Sequence, residues 1–359
     1  MRRLSLALLL ALLSAPAWAI DGNTLGCVTS TASVATCRAA LINEAWGIGT
    51  GVLPSTLPTV TTGVTNPYGG SSPANVASVD SYVSAMSNAQ TYTSLLYHAN
   101  SPNNGRVVIV NMGHQDTCDW PSFSAVYNTT QLLVALLNAG YSVFAYNMPR
   151  PPTCGVASDH TAMFASFGNT AMQYFLEPLV EAENYWDAHR SFSRYDMVGL
   201  SGGGWTTTVM AALDPRIQLS IPDAGSMPGI NQNCLPADAE QTNVPFYTIA
   251  GYLDMYLMAS YPQPRRQVQI LGISDDCCFG PTQWVSGSCA SSHGGQDWYT
   301  YTLGYVANLR SGATTASFNP EQINYTLLWD YTATAHQISV PWADNIILNA
   351  LASAVGGHR

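Results

Sequence analysis

From residue 105 onward, short β-branched runs alternate with longer stretches of helical character, and this rhythm constrains the fold more than any other feature. Arg106 to Val110 reads as a strand buried on both faces, because apolar residues follow one another without polar alternation. Thr130 to Ala139 reads as a helix that Gly140 ends. Tyr141 to Tyr146 is the next predicted strand, and Thr170 to His189 a long helix carrying Glu177, Glu181 and Glu183. A strand at 195–199, a helix at 205–213, a strand at 217–221 and a helix at 252–260 follow. Strands at 267–273 and 323–329 and a final helix at 342–355 complete the series. Such alternation predicts the α/β class, with a mostly parallel, doubly wound sheet and helices on both faces.

Two regions fall outside the rhythm. Residues 20–100 are rich in Gly, Ser, Thr and Pro and read as an N-terminal extension with one or two edge strands. Residues 279–320, rich in Gly, Ser and aromatic side chains, read as an excursion near the sheet ends where ligands bind. Ahead of both, Arg2 and Arg3 precede an apolar run from Leu4 to Leu13 and the small-x-small triplet Ala17-Trp18-Ala19. This is the pattern of an export signal over residues 1–19, followed by one domain over 20–359. A secreted or periplasmic location is the expectation. The apolar run is too short to span a membrane, and no later segment is suited to do so.

Charged residues make up only 9% of the chain, and none of the basic ones is lysine. Twelve arginines less Arg2 and Arg3 leave ten against 22 acidic residues, a mature net charge near −12. That balance argues against nucleic acid and against an anionic membrane surface as partners. Eight cysteines, an even number in an exported chain and without any C-x-x-C pair, point to disulfides rather than to a metal centre. Cys277 and Cys278 are adjacent and are expected to bond elsewhere. The pairing favoured by short loops and neighbouring strand ends is Cys27–Cys37, Cys118–Cys154, Cys234–Cys277 and Cys278–Cys289.

The chemistry is concentrated at Gly199-Leu200-Ser201-Gly202-Gly203, a G-x-S-x-G sequence between a predicted strand and a predicted helix. A serine on such a tight bend has its hydroxyl exposed and the helix N-terminus behind it, while the flanking glycines let the turn close. No phosphate-binding G-x-x-x-x-G-K-[ST] sequence competes with this reading. The order Ser201, an acid after a later strand, then His336 near the end resembles the α/β-hydrolase superfamily, over roughly residues 105–355. Within it the chain resembles secreted bacterial serine esterases and polyester depolymerases.

The resemblance makes Ser201 the nucleophile and His336, after the last strand, its base. An imidazole suits that role because it titrates near neutrality. His293 is the substitute. His160 and His189 are assigned to solvated faces and His358 to the tail. For the orienting acid, Asp275 in Gly272-Ile-Ser-Asp275 follows the strand 267–273 directly. Asp276 and Asp254 are the alternatives, the latter in a segment that reads better as helix. Oxyanion donors are expected from the Gly202 N–H and from His114 or Gln115 in the loop after strand 106–110, where the usual family order His-Gly is reversed to Gly113-His114. His114 has an equal claim as a core or substrate-contacting side chain. Trp120, Trp205, Trp284, Trp298 and Tyr331 lie near these loops, each one more readily explained by core packing. The implied reaction is cleavage of a carboxylic ester, small or polymeric, through an acyl-enzyme, with no metal and no cofactor. A peptidase or acyltransferase on the same triad, or an inactive binding protein, are the alternatives.

Overall fold

A computed structural model describes residues 23–65, 75–86, 91–100, 102–114, 128–149, 160–228, 238–286, 289–339 and 342–353. The expected export signal, Gln115, Cys118, Trp120, Cys154, Cys234 and His358 lie outside the described residues. Among the described residues, nine strands form one sheet: β1 (Thr59–Thr61), β2 (Val76–Ala85), β3 (Thr91–Ala99), β4 (Val107–Asn111), β5 (Ser142–Tyr146), β6 (Tyr195–Leu200), β7 (Ile217–Asp223), β8 (Arg266–Gly272) and β9 (Tyr325–Asp330). Their order is β1-β2-β3-β5-β4-β6-β7-β8-β9. The first three pair antiparallel, and β3 joins β5 antiparallel. From β5 to β9 every pairing is parallel.

The helices are α1 (Ser33–Trp46), α2 (Thr129–Asn138), α3 (His160–Phe167), α4 (Gln173–His189), α5 (Gly202–Leu213), α6 (Val244–Ile249), α7 (Tyr252–Ser260), α8 (Pro281–Ser286), α9 (Cys289–Ser292), α10 (Trp298–Thr315) and α11 (Leu348–Ser353). Every residue of β4, β5 and β6 is buried. Successive side chains of a strand point to opposite faces, so burial at every position means that both faces are covered. The helices pack in two groups, with α2 against β5 and the C-terminal helical segment, and α5 against α1, α4 and α7.

The predicted parallel half agrees with the structure to within two residues at most strand ends. Three findings differ elsewhere. The extension contains three antiparallel strands and the helix α1, not merely one or two edge strands. The excursion is largely helical: α10 buries Trp298, Tyr301, Thr302, Tyr305, Leu309 and Ala313 along one side, and Asp297 caps it by accepting from the Thr300 N–H at 2.9 Å. The disulfides also differ. Cys27 bonds Cys37, as expected, but Cys277 bonds its neighbour Cys278, so neither Cys234–Cys277 nor Cys278–Cys289 exists. The bend after β8 brings the two adjacent sulfurs together, which the assumption of separate partners had excluded. Cys289 is disulfide-bonded to a partner outside the described residues.

The strand order reverses around β4: the chain moves outward to β5, then crosses back to place β6 on the other side. A crevice beyond the carboxyl ends of strands at such a switch point is where open α/β sheets bind ligands. The ends of β4 and β6 carry His114 and Ser201.

Candidate active site

Ser201 occupies the bend between β6 and α5 with φ 59° and ψ −128°, a backbone state that L-residues rarely adopt. The bend is braced from both sides. The Ser201 N–H donates to the Asp223 carbonyl at 3.0 Å, and the Trp205 N–H donates to the Ser201 carbonyl at 2.9 Å. A side chain at Gly199 would lie 2.1 Å from the Gly203 carbonyl oxygen, and one at Gly203 would lie 2.1 Å from the Asn111 carbonyl oxygen. Only glycine permits these approaches. Behind the bend, all of α5 is buried, and the Trp205 indole N–H donates to the Tyr247 hydroxyl at 2.6 Å.

His336 follows β9, and its Nδ1 is 2.9 Å from Asp275 Oδ2. Asp275 is buried after β8, and its other oxygen accepts the N–H groups of Cys277 and Cys278, each at 2.9 Å. Burial alone would push this carboxyl up. The hydrogen bond and charge of His336, with the two backbone N–H groups, outweigh it and hold the pKa below its ordinary value. The two alternative acids are engaged elsewhere. Asp276 Oδ1 accepts the His336 backbone N–H at 3.1 Å, which fixes the loop rather than the ring. Asp254 accepts the N–H groups of Gly26, Cys27, Val28 and Gly251, tying the start of the described chain to α7. His293 stacks on Trp284, at 5.1 Å between ring centroids.

Ser201 and His336 line one cavity of about 450 Å³, together with Met112, His114, Leu200, Asp238, Gln241, Cys277, Cys278 and Phe279. At the end of β4, Gly113 takes φ +70°, and a side chain there would lie 2.7 Å from the Leu200 carbonyl oxygen. Its own N–H is bound by the Asn111 side chain at 3.0 Å, and its carbonyl accepts the Met148 N–H at 3.0 Å. The His114 ring lies over Gly202, its Cε1 3.1 Å from where a Cβ would stand. Gly202 opens α5, so its N–H belongs to the first turn, where backbone donors have no partner within the helix.

One placement overturns the expectation. His160 is not on a solvated face: it is buried against Phe175 and hydrogen-bonded through Nδ1 to Glu240 at 2.7 Å. His189 is exposed, as expected. Trp205, Trp284 and Trp298 are buried in the core, whereas Tyr331 is exposed. The sequence reading did not find Asp238, Gln241 and Phe279 as pocket residues. Asp238 and Gln241 had a local signal, a D-x-x-Q capping box opening the 3-10 turn Ala239–Thr242, but nothing local directs that turn to the pocket.

No protein-family profile matches the sequence, and no curated protein sequence aligns to it significantly. Solved structures do match. An acetyl xylan esterase from Paenibacillus sp. R4 superposes with a TM-score of 0.54 at 11% identity, over 94% of this chain and 99% of that one. Acetyl xylan esterase 1 from Thermoanaerobacterium sp. gives 0.52 at 10% identity, over 94% and 98%. Methylesterase BT1017 gives 0.55 at 13% identity, over 90% of this chain but only 64% of the other protein's length. At these identities the likeness is one of architecture, and with the strand order it establishes that the chain has the α/β-hydrolase fold.

Proposed function

We propose that the protein is an exported serine hydrolase that cleaves carboxylic esters, with Ser201 as nucleophile, His336 as general base and Asp275 as the acid that orients it. One observation carries this reading. A buried carboxylate holds the imidazole of His336 at 2.9 Å, and that imidazole lines the same cavity as a serine fixed on a left-handed bend. With Nδ1–H held by Asp275, the other ring nitrogen of His336 takes the serine proton as Oγ attacks the ester carbonyl. The Gly202 N–H and a donor from the 113–115 loop stabilise the oxyanion, aided by the α5 N-terminus. The alcohol leaves with the proton from His336, and water, deprotonated by the same ring, releases the acid. The esterase names of the structural neighbours support an ester over an amide substrate.

The test is direct. Ser201→Ala should lower kcat for short p-nitrophenyl esters by at least about 10³-fold with the thermal midpoint unchanged, and a fluorophosphonate probe should label the parent at Ser201 alone. Undiminished turnover in that variant would refute the assignment. Faster cleavage of peptides than of any ester would move the substrate class to amides.

A further inference from the structure

Four side chains outside the proposed triad converge beside the pocket. His114 follows β4, His160 opens α3, and Asp238 and Glu240 belong to the 3-10 turn and its cap. One nitrogen or oxygen from each lies within 4.8 Å of those of the other three. His160 Nδ1 is 2.7 Å from Glu240 Oε2, and His114 Nε2 is 3.3 Å from Asp238 Oδ2. The two imidazoles stack, with centroids 4.9 Å apart. His160 and Glu240 are buried, while His114 and Asp238 face the cavity that also holds Ser201.

Three features point to a cation. The first is the tautomer. His160 Nε2 is 3.2 Å from the Pro149 carbonyl oxygen, an acceptor only, so that nitrogen carries a proton. A neutral ring then presents the Nδ1 lone pair to a carboxylate oxygen 2.7 Å away, and a positive centre, proton or metal, must lie between them. A ring N–H donated to a backbone carbonyl is also the usual way a metal-bound imidazole is oriented. The second is Glu240 Oε1, which is fully buried and has no side-chain hydrogen-bond partner among the described residues. Such an oxygen is costly for a group that only forms an ion pair. The third is spacing. A tetrahedral site with bonds of about 2.0–2.1 Å has edges of roughly 3.3 Å. The observed edges of 2.7 Å and 3.3 Å, with no separation above 4.8 Å, gather the four donor atoms around a common point on the scale of such a site.

We propose that His114, His160, Asp238 and Glu240 form a binding site for a divalent transition-metal ion, zinc by its chemistry, in the wall of the substrate pocket. Two imidazoles and two carboxylates suit zinc, whereas magnesium and calcium call for more oxygen ligands and no nitrogen. Four protein ligands fill a tetrahedral shell, which gives the ion a structural role. It would lock together the loop after β4, the start of α3 and the turn before α6, and so hold His114 over Gly202. His114, His160 and the Asp238–Glu240 pair lie 46 and 78 residues apart (160 − 114 and 238 − 160), which is why the sequence alone suggested no metal.

The site is tested on the purified mature protein, stripped with EDTA and titrated calorimetrically with zinc chloride. One equivalent should bind with Kd of about micromolar or tighter and raise the thermal midpoint. Cobalt(II) in its place should show the intense visible bands of tetrahedral coordination. Asp238→Asn changes a ligand at the pocket surface and should weaken zinc binding at least about tenfold with far-UV circular dichroism unchanged; Glu240→Gln should do the same. Ser201→Ala should bind zinc like the parent, so that failure of the esterase reading and failure of the metal reading are separable. Absence of saturable binding to the parent would overturn the proposal, leaving a proton between His160 and Glu240. Undiminished affinity in Asp238→Asn and Glu240→Gln would also overturn it.

Discussion

Asp275 and Asp223 stand near one another at the ends of β8 and β7, yet the protein moves their pKa values in opposite directions. Asp275 lies below its ordinary value for the reasons given above. Asp223 is pushed well above it by burial, then by the charges of Asp330 and Asp275, and its Oδ2 has no hydrogen-bond partner among the described residues. The signs follow from proton counts. The stability contributed by Asp275 is present above the unfolded carboxyl value near 4 and is lost as pH falls through its lower folded value. The contribution of Asp223 is present below that unfolded value and is lost as pH rises through its higher folded value. Asp223→Asn should therefore gain thermal stability relative to the parent between pH 4 and 8, at up to about 1.4 kcal/mol per pH unit of proton difference. Asp275→Asn should flatten the acid limb of the stability profile and lower kcat by about 10³–10⁴-fold. Melting curves across this range check both, and a loss of relative stability by Asp223→Asn at high pH would contradict the assignment. At this scale the sequence was informative where a residue type has a fixed task. The positions of Ser201 between β6 and α5, of Asp275 after β8 and of His336 after β9 were legible from the strand order, and their roles are those proposed above. The depression of Asp275 was not legible, because it depends on how closely the fold sets the His336 ring, and then the Cys277 and Cys278 N–H groups, against a buried carboxylate.

Two elements do more than their length suggests. The bend 275–278 closes a bond between adjacent cysteines, so it removes little chain entropy, about 1 kcal/mol or less. Its consequence is local: it holds the Cys277 and Cys278 N–H groups on Asp275 Oδ1 and forms part of the pocket wall. Replacing both cysteines by serine should lower kcat by about 10–10²-fold with little change in the thermal midpoint. An unchanged kcat would show the bond to be incidental to the acid's position. Asp254 has the opposite character. It gathers four N–H groups from two distant segments, so Asp254→Ala should cost on the order of 2–4 kcal/mol and expose residues 23–46 to limited proteolysis. If that segment stays as resistant as in the parent, Asp254 is not its anchor. Helices α1 and α10 show what element-level reading overlooks. Val34, Cys37, Leu41, Ile42, Ala45 and Trp46 recur at helical spacing, as do the buried residues of α10. Both stripes are present in the sequence. The surrounding Gly, Ser and Thr lower intrinsic helix propensity, and packing against the core supplies what propensity withholds.

Across the whole molecule, β4 and β5 were legible as apolar runs buried on both faces, while β6, β7 and β8, interrupted by Asp196, Gln218, Ser220, Gln267 and Gln269, were legible through their alternation with helices. The antiparallel strands mix Ser and Thr with apolar residues on a half-covered surface, and so merged with their turns. The pocket wall was not legible, since 238–241 and 277–279 meet only through the fold. The net charge of −10, carried by few ionised groups, makes a separate prediction. The protein should pass through a heparin column at physiological salt; retention there would reveal a basic face that the overall charge conceals. The glycine cage around Ser201 has a consequence for divergence. Gly199 and Gly203 interlock with the backbones of neighbouring segments, so no change there can be absorbed by a side chain alone. If the proposed function holds, adaptation of this scaffold to new substrates is channelled into the 238–241 and 277–279 walls, while the Ser201 oxygen keeps its address.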